Sequence, residues 1–467
     1  MINFKFLILG VVFCLLPDIL NINSGLDYNA KIALRLMILM IFFWLTETMP
    51  NSITALMPIV FSPFFLEISL KNIVMPYAST VVFLLLGGFL LANGFEKSNL
   101  HQRIAIKTIL LFGQTKEKLI LCFILSTAFF SMWLSNTATC LLMLPIAKFI
   151  VDDCFKNNTN DSFSKILLLS IAYSSSIGGM STPIGTIPNA VMVSFLNENY
   201  NFSIDFVSWF VFMIPIVLFL LMSLWAYFKF ILKSVDQKVD LKSISEKYKS
   251  LGRFSQKEKI SAFVLIITSM LWIFKNGVNS FFKINLTDSG IAIMCAVLFF
   301  ILPVDKKQKT LLNIDWFKDI PWNVLLLFGG GLSMASIIVT TGLAEDLSRN
   351  LDFISKYNFF FILLFLTFFT SVLTEFTSNT ATTLLLLPIF ASFAMNNDLS
   401  LIKLILPIVL AASCAFMMPI STPPNAIVFS TNRLKIRFML QTGFIMNIIA
   451  VSSISIYVYF FGNLAFG

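Results

Sequence analysis

Charge is scarce in this chain of 467 residues: only 12% are Asp, Glu, Lys or Arg, against about 25% in an average soluble protein. So few charges cannot clothe a soluble globule of this length. Histidine is nearly missing, with His101 the single example, which leaves no His-based metal site and no Ser/His catalytic triad. The six cysteines, at 14, 122, 140, 154, 295 and 414, have no metal-site or redox spacing. Five sit within apolar stretches, so they read as small core residues. What fills the chain instead is hydrophobic residues, 57% of the total with 52 Phe, as lipid-facing helices require. The net charge of +9 comes from basic residues in short loops between apolar segments. There they set topology, and no nucleic-acid partner is expected.

A bilayer core of about 30 Å takes about 20 residues of helix. Candidate spans are 6–23, 32–47, 52–67, 79–95, 206–232, 260–276, 287–303, 322–341 and 438–463. Four further apolar stretches, 119–150, 165–195, 358–395 and 401–430, are each interrupted by a polar, Pro-containing or Gly-containing knot. Non-helical backbone at membrane depth is tolerated only where it lines a cavity or binds something. Orientation follows from positive charge. The segments 96–118, 229–259 with nine Lys/Arg, 305–309 (Lys306, Lys307, Lys309) and the stretch Arg433, Lys435, Arg437 should be cytoplasmic. Counting spans then puts the N-terminus inside. If 119–150 and 358–395 leave on the side they enter, as hairpins, the C-terminus is external. No small-residue cleavage site follows Pro17 and Asp18, so the first apolar segment is expected to be an anchor rather than a signal peptide.

An internal repeat organises the chain. Ser135-Asn136-Thr137-Ala138-Thr139, followed by Pro145, recurs as Ser378-Asn379-Thr380-Ala381-Thr382, followed by Pro388. Further on, Gly185-Thr186-Ile187-Pro188-Asn189-Ala190 recurs as Ser421-Thr422-Pro423-Pro424-Asn425-Ala426. Upstream, Gly87-Gly88 is echoed by Gly329-Gly330-Gly331. Each half thus carries one hairpin with an Asn at its tip and one helix broken at a Thr-x-Pro-Asn motif. The two halves are expected to have opposite topology, as in secondary transporters with a site at the midplane.

Coordination, not catalysis, is the chemistry of these motifs. Ser, Thr and Asn supply neutral oxygens and amide donors, and a broken helix frees carbonyls at one end and N–H groups at the other. Carbonyls and hydroxyls suit a hard cation; N–H groups and helix N-termini suit an anion. The bland alternative is that Ser-Asn-Thr merely glues helices together, an even bet for one copy but a poor one for two matched copies. No Lys, Arg or His occurs in 119–147, 171–195, 371–402 or 404–432, and Lys118 lies just outside the first of these, at the membrane edge. A bound anion therefore cannot be neutralised by a basic side chain, and bound cations must supply the charge. Neutral oxygens favour Na⁺ over H⁺. Glu375, next to Thr374, is the one carboxylate beside a tip; ligating a cation, orienting the hairpin and an inactive surface role are all open to it.

With these residues in place, the chain resembles the divalent anion/sodium symporter family, the dicarboxylate, citrate and sulfate carriers that include the INDY-type proteins. The likeness runs through Trp44, Glu47 and Pro50, the Gly87-Gly88 helix to Glu96, Lys97, Asn99 and His101, both tips, both breaks, and Pro321-Trp322 leading to Gly329. The resemblance implies an all-α polytopic protein with about eleven transmembrane helices plus two re-entrant hairpins, a homodimer in lipid, and an elevator motion carrying an anion with Na⁺. One Na⁺ site would use Ser131, Ser135, Asn136 and Gly185, and a second Thr374, Thr377, Asn379 and Ser421. The anion would lie between Asn136-Thr137 and Ser378-Asn379-Thr380, with Thr186, Thr422 and Pro423 closing the pocket. Met180, Ser181, Thr182 and Pro183 precede the first break and leave its register open by a few residues. Family members that exchange dicarboxylates without sodium tend to place a basic residue where sodium would sit; none is present.

The expected layout is scaffold 1–118, transport elements 119–195, scaffold 196–357, transport elements 358–430, and a C-terminal helix 431–467. The leading expectation is Na⁺-coupled uptake of succinate, malate or fumarate across the cytoplasmic membrane. Sulfate transport and Na⁺-independent dicarboxylate exchange are the alternatives on the same fold. An intramembrane hydrolase would need a nucleophile–base pair at membrane depth, and a channel has no need of paired occluding hairpins.

Overall fold

Where an apolar run is unbroken, lipid leaves the backbone no partner but itself, so it forms helix. The computed structural model describes residues 4–19, 25–154, 162–232, 241–305 and 309–466. Residues 20–23 of the first expected span, part of the basic 229–259 segment, and Lys306 and Lys307 lie outside the described residues. Every regular element among the described residues is helical. Among the described residues, six helices are long and apolar enough to cross a membrane, or seven if one bent pair counts as a span. Phe206–Leu232 coincides with its expected span, and Tyr28–Thr46, Thr80–Ser98, Trp322–Thr340 and Ile436–Phe461 lie within a few residues of theirs.

Two expected spans are not single helices. The stretch 52–67 divides into Asn51–Thr54 and Met57–Phe65. Pro58 has no N–H for the Thr54 carbonyl, so the first helix cannot continue. Past the break the Ile59 N–H goes to Leu56, and the Ala55 carbonyl takes the Tyr77 hydroxyl at 2.5 Å. The stretch 260–276 ends as Gln256–Ile273, after which the chain bends by 72° into Lys275–Phe282. There Lys275 turns to pair with Asp288 at 2.7 Å, both nearly buried.

The four interrupted stretches take the expected form. Lys116–Ser131 and Asn136–Cys154 make the first hairpin, and Phe359–Phe376 and Asn379–Asn396 the second. Ser162–Gly179 and Ile187–Tyr200 form the first broken helix, Leu401–Ala412 and Pro423–Phe429 the second. Thr186 and Thr422 restart the helices from extended backbone, at φ −141°, ψ 145° and φ −139°, ψ 149°. A proline in the first turn follows each, a position where its missing N–H costs nothing.

Packing joins more to these elements than the layout expected. Ile436–Phe461 lies along the second hairpin, where Ser455 bonds Thr367 at 3.1 Å and Asn447 bonds Glu375 at 2.7 Å. Phe206–Leu232 is tied to that helix by the Tyr457 hydroxyl on the Phe212 carbonyl, 2.6 Å. It is tied to the first hairpin by Trp225 on the Glu117 carbonyl, 3.2 Å, and by the Lys229–Glu117 ion pair, 2.9 Å. On the other side, Trp322–Thr340 packs backbone to backbone: a Cβ on Gly330 would sit 1.9 Å from the Ala55 carbonyl oxygen, so only glycine permits the approach.

The connector Leu100–Phe112 is anchored by Arg103, whose guanidinium pairs with buried Glu258 and donates to the carbonyls of Leu251, Gly252 and Arg253. His101, 1% exposed, stands edge-on to Phe130. Burial holds its imidazole down to about 4, from an ordinary 6.5. The native state therefore binds fewer protons than the unfolded chain between these values, and stability falls as pH drops from 6.5 toward 4. This contribution is at most about 3 kcal/mol. His101→Phe should lessen the loss of thermal stability between pH 7 and pH 4.5, measured against the native chain; an unchanged pH profile would falsify the assignment.

Candidate functional site

Each hairpin tip closes on its own broken helix through the same contacts. In the first half, Ser131 Oγ lies 2.8 Å from Asn136 Oδ1 and 2.7 Å from the Ser175 carbonyl. The same end of the Asn136 amide is 3.0 Å from the Ser175 carbonyl and 3.3 Å from that of Gly185. In the second half, Thr374 Oγ1 lies 2.7 Å from Asn379 Oδ1 and 2.9 Å from the Ala412 carbonyl. In the first half, the three oxygens gathered around one end of the Asn136 amide require either its nitrogen or a cation among them. Neutral hydroxyl, amide and carbonyl oxygens are the donor set of a hard cation. The approach in the first half depends on glycine: a Cβ on Gly185 would meet the Gly179 carbonyl at 2.5 Å and the Ser131 carbonyl at 2.9 Å.

A second asparagine in each half holds the break itself. Asn189 donates its amide to the carbonyls of Gly179, Met180 and Thr182 at 3.2, 3.2 and 2.8 Å. Asn425 donates to Ala415 and Met418 at 3.0 and 3.1 Å, and to Ser421 Oγ at 3.1 Å. The repeat seen in the motifs is thus a repeat of hydrogen bonds. At membrane depth these carbonyls have no water to turn to, which is why an Asn must be there.

Between the two tips lies a cavity of about 550 Å³. Asn136, Thr137, Thr186, Ser378, Asn379, Thr380, Thr422 and Pro423, all eight residues expected to hold the anion, line it. Ser135, Gly185 and Ser421 line it as well, while Ser131 and Thr374 stand behind the tips. Ser135 caps the second hairpin helix at the Ala138 amide, 3.3 Å, and Ser378 does the same at Ala381, 3.1 Å. Thr377 goes elsewhere: its hydroxyl meets the Leu373 carbonyl and Thr382, and it lines a separate groove with Trp44 and Leu385. The lining also holds Asn93, Asp319 and Asn323, which no repeat or motif had marked, and Glu96, which the resemblance had named without a role at the site. Lys97 pairs with Asp319 at 2.6 Å but does not line the cavity, and no basic side chain does among the described residues.

The comparisons with known proteins bear directly on this arrangement. The model of the sodium:sulfate symporter transmembrane region matches residues 2–466. The chain belongs to the divalent anion/sodium symporter family. Among its relatives in that family, the sodium-dependent dicarboxylate transporter SdcS of Staphylococcus saprophyticus is 34% identical over 470 residues, covering 97% of this chain and 90% of the relative. SdcS of Staphylococcus aureus is 34% identical over 468 residues, with the same coverage. The crystal structure of the Alcanivorax borkumensis YdaH transporter, described as having an unusual topology, aligns with a TM-score of 0.58 at 11% identity, covering 85% of this chain and 89% of that one. At that identity the likeness is one of fold. As a divalent anion/sodium symporter family member the chain is a multi-pass membrane transporter, not an enzyme.

Each tip Asn lines the cavity and also meets the oxygens behind it. Asn136→Ala and Asn379→Ala should each abolish transport into proteoliposomes while the purified protein stays monodisperse. Near-normal transport by both variants removes the site from the tips.

Proposed function

We propose that this protein imports a divalent anion, a C4-dicarboxylate such as succinate, malate or fumarate, together with Na⁺. The observation that carries the reading is the cavity between two matched oxygen clusters, lined without a basic side chain. A dianion placed there is stabilised by the neutral hydroxyl and amide donors of the tips and by the helix N-terminus at Thr186, and Na⁺ in the two clusters offsets its charge. The SdcS relatives, sodium-dependent dicarboxylate transporters by name, support the same substrate and coupling ion. A second reading, sulfate, is favoured by the description of the matching family and by donors that would serve a tetrahedral dianion equally well.

Because ions and anion share the tips, their binding is coupled and the coupling is reciprocal. Uptake of labelled succinate into proteoliposomes should require an inward Na⁺ gradient, and added succinate should tighten the apparent affinity for Na⁺. Succinate binding as tight in choline as in sodium would reject the mechanism. Sulfate uptake without succinate uptake would select the second reading.

The movement we infer is an elevator. The two hairpins and two broken helices, joined by the helices packed on them at Phe206–Leu232 and Ile436–Phe461, carry the site as a unit. The scaffold that remains would form a homodimer in the cytoplasmic membrane, with the N-terminus cytoplasmic and the C-terminus external. The connectors at 96–118 and 342–357 serve as hinges, the first held to the scaffold by Arg103. A cysteine near either tip should change the side from which it is labelled as Na⁺ and substrate are added, while one within 260–303 should not. Tip labelling that is equal from both sides under every condition would reject the moving unit.

A further inference from the structure

Glu375 follows Thr374 in the second hairpin and is 2% exposed. Its Oε1 accepts the backbone N–H groups of Phe416 and Met417, both at 2.8 Å, and the Asn447 amide at 2.7 Å; its Oε2 accepts the Met418 N–H at 3.0 Å. All four contacts bring hydrogens to the carboxylate and none accepts one from it. This is the environment of an ionised carboxylate. With both oxygens engaged by the break, Glu375 does not itself reach into the cavity as a ligand does.

The first half has no such charge. The offset that takes Ser131 to Thr374 and Asn136 to Asn379 takes Met132 to Glu375. The offset that takes Asn189 to Asn425 takes Met180 and Ser181 to Phe416 and Met417. In the first break, those N–H groups are satisfied by neutral carbonyls, Met180 by Ile177 at 3.2 Å and Ser181 by Gly178 at 3.0 Å. Two clusters of matched neutral oxygens therefore differ in charge: a fixed negative charge adjoins the second.

We propose that Glu375 is a positioning residue that makes the two cation sites unequal, so that the site of Thr374 and Asn379 binds Na⁺ more tightly and fills first. The inference rests on the two-site reading above. Glu375 acts in two ways at once. It fixes the stretch from Ala412 to Met418, whose carbonyls meet Thr374 and Asn425, and its charge favours a cation nearby in a medium of low dielectric.

The test is Na⁺-induced thermal stabilisation of the purified chain in choline-balanced buffer without substrate. Glu375→Gln is read in the Asn136→Ala background, which keeps the second site, and in the Asn379→Ala background, which keeps the first. Glu375→Gln should raise the Na⁺ midpoint about tenfold in the former and less than about twofold in the latter, a difference within the usual range of site coupling. Equal weakening in both backgrounds would mark a general effect on the fold with no preference for the second site, and that result overturns the inference. Should the glutamine variant fail to fold, the two Asn variants alone decide: Asn136→Ala should bind Na⁺ more tightly than Asn379→Ala, and equal or reversed affinities overturn the proposal. A native chain that shows no Na⁺ response overturns the two-site reading together with it, whereas the preceding outcomes overturn this inference alone.

Discussion

A carbonyl or N–H released by a broken helix at membrane depth has no solvent to satisfy it, and the cost of leaving it bare is several kcal/mol. Everything distinctive in this chain is arranged around that cost. Asn189 and Asn425 absorb the carbonyls released on one side of each break, at equivalent distances along the chain in the two halves. Ser131 and Thr374 take the carbonyls that remain at the helix ends and join them to the tip asparagines. The breaks are therefore stable features, and the polar groups still turned toward the cavity are available to a ligand.

The halves repeat in geometry but not in detail. Thr422 caps the Asn425 amide with its hydroxyl at 3.3 Å, while Thr186 makes no such cap and keeps its hydroxyl at the cavity. Glu375 holds the second break from behind, where the first has only Met132. Of the roles open to Glu375 on sequence, the structure selects the orienting one, because its burial and four donors exclude an idle surface position. A symmetric pair of sites would bind its ions with equal affinity; local differences of this kind permit an order.

The tips and breaks were readable in the sequence because their chemistry is carried by side chains whose types repeat in order. Ser175 and Ala412 were not, since each contributes a backbone carbonyl that any residue possesses. Thr377 sat in the right stretch, but the turn before Ser378 sends its hydroxyl to Leu373 and Thr382. Asn93, Asp319 and Asn323 come from two scaffold segments far apart in the chain, with no shared pattern to announce them, and Glu96 stood in a motif that said nothing of its place beside the tips. The split of 52–67 was written in Pro58 but masked by the apolar run around it.

The sequence by itself determined that this is a membrane-embedded, all-helical chain of two related halves, each with a hairpin and a broken helix. Hydropathy, proline placement and motif repetition are local properties, and lipid turns them directly into helices and interruptions. Only the tertiary structure decided which carbonyls face which hydroxyls, that both tips border one cavity, and that the helices Phe206–Leu232 and Ile436–Phe461 pack with the site rather than apart from it. The physical reason is that those contacts join residues hundreds of positions apart, where their pairing depends on how helices pack side by side and not on the composition of any one of them.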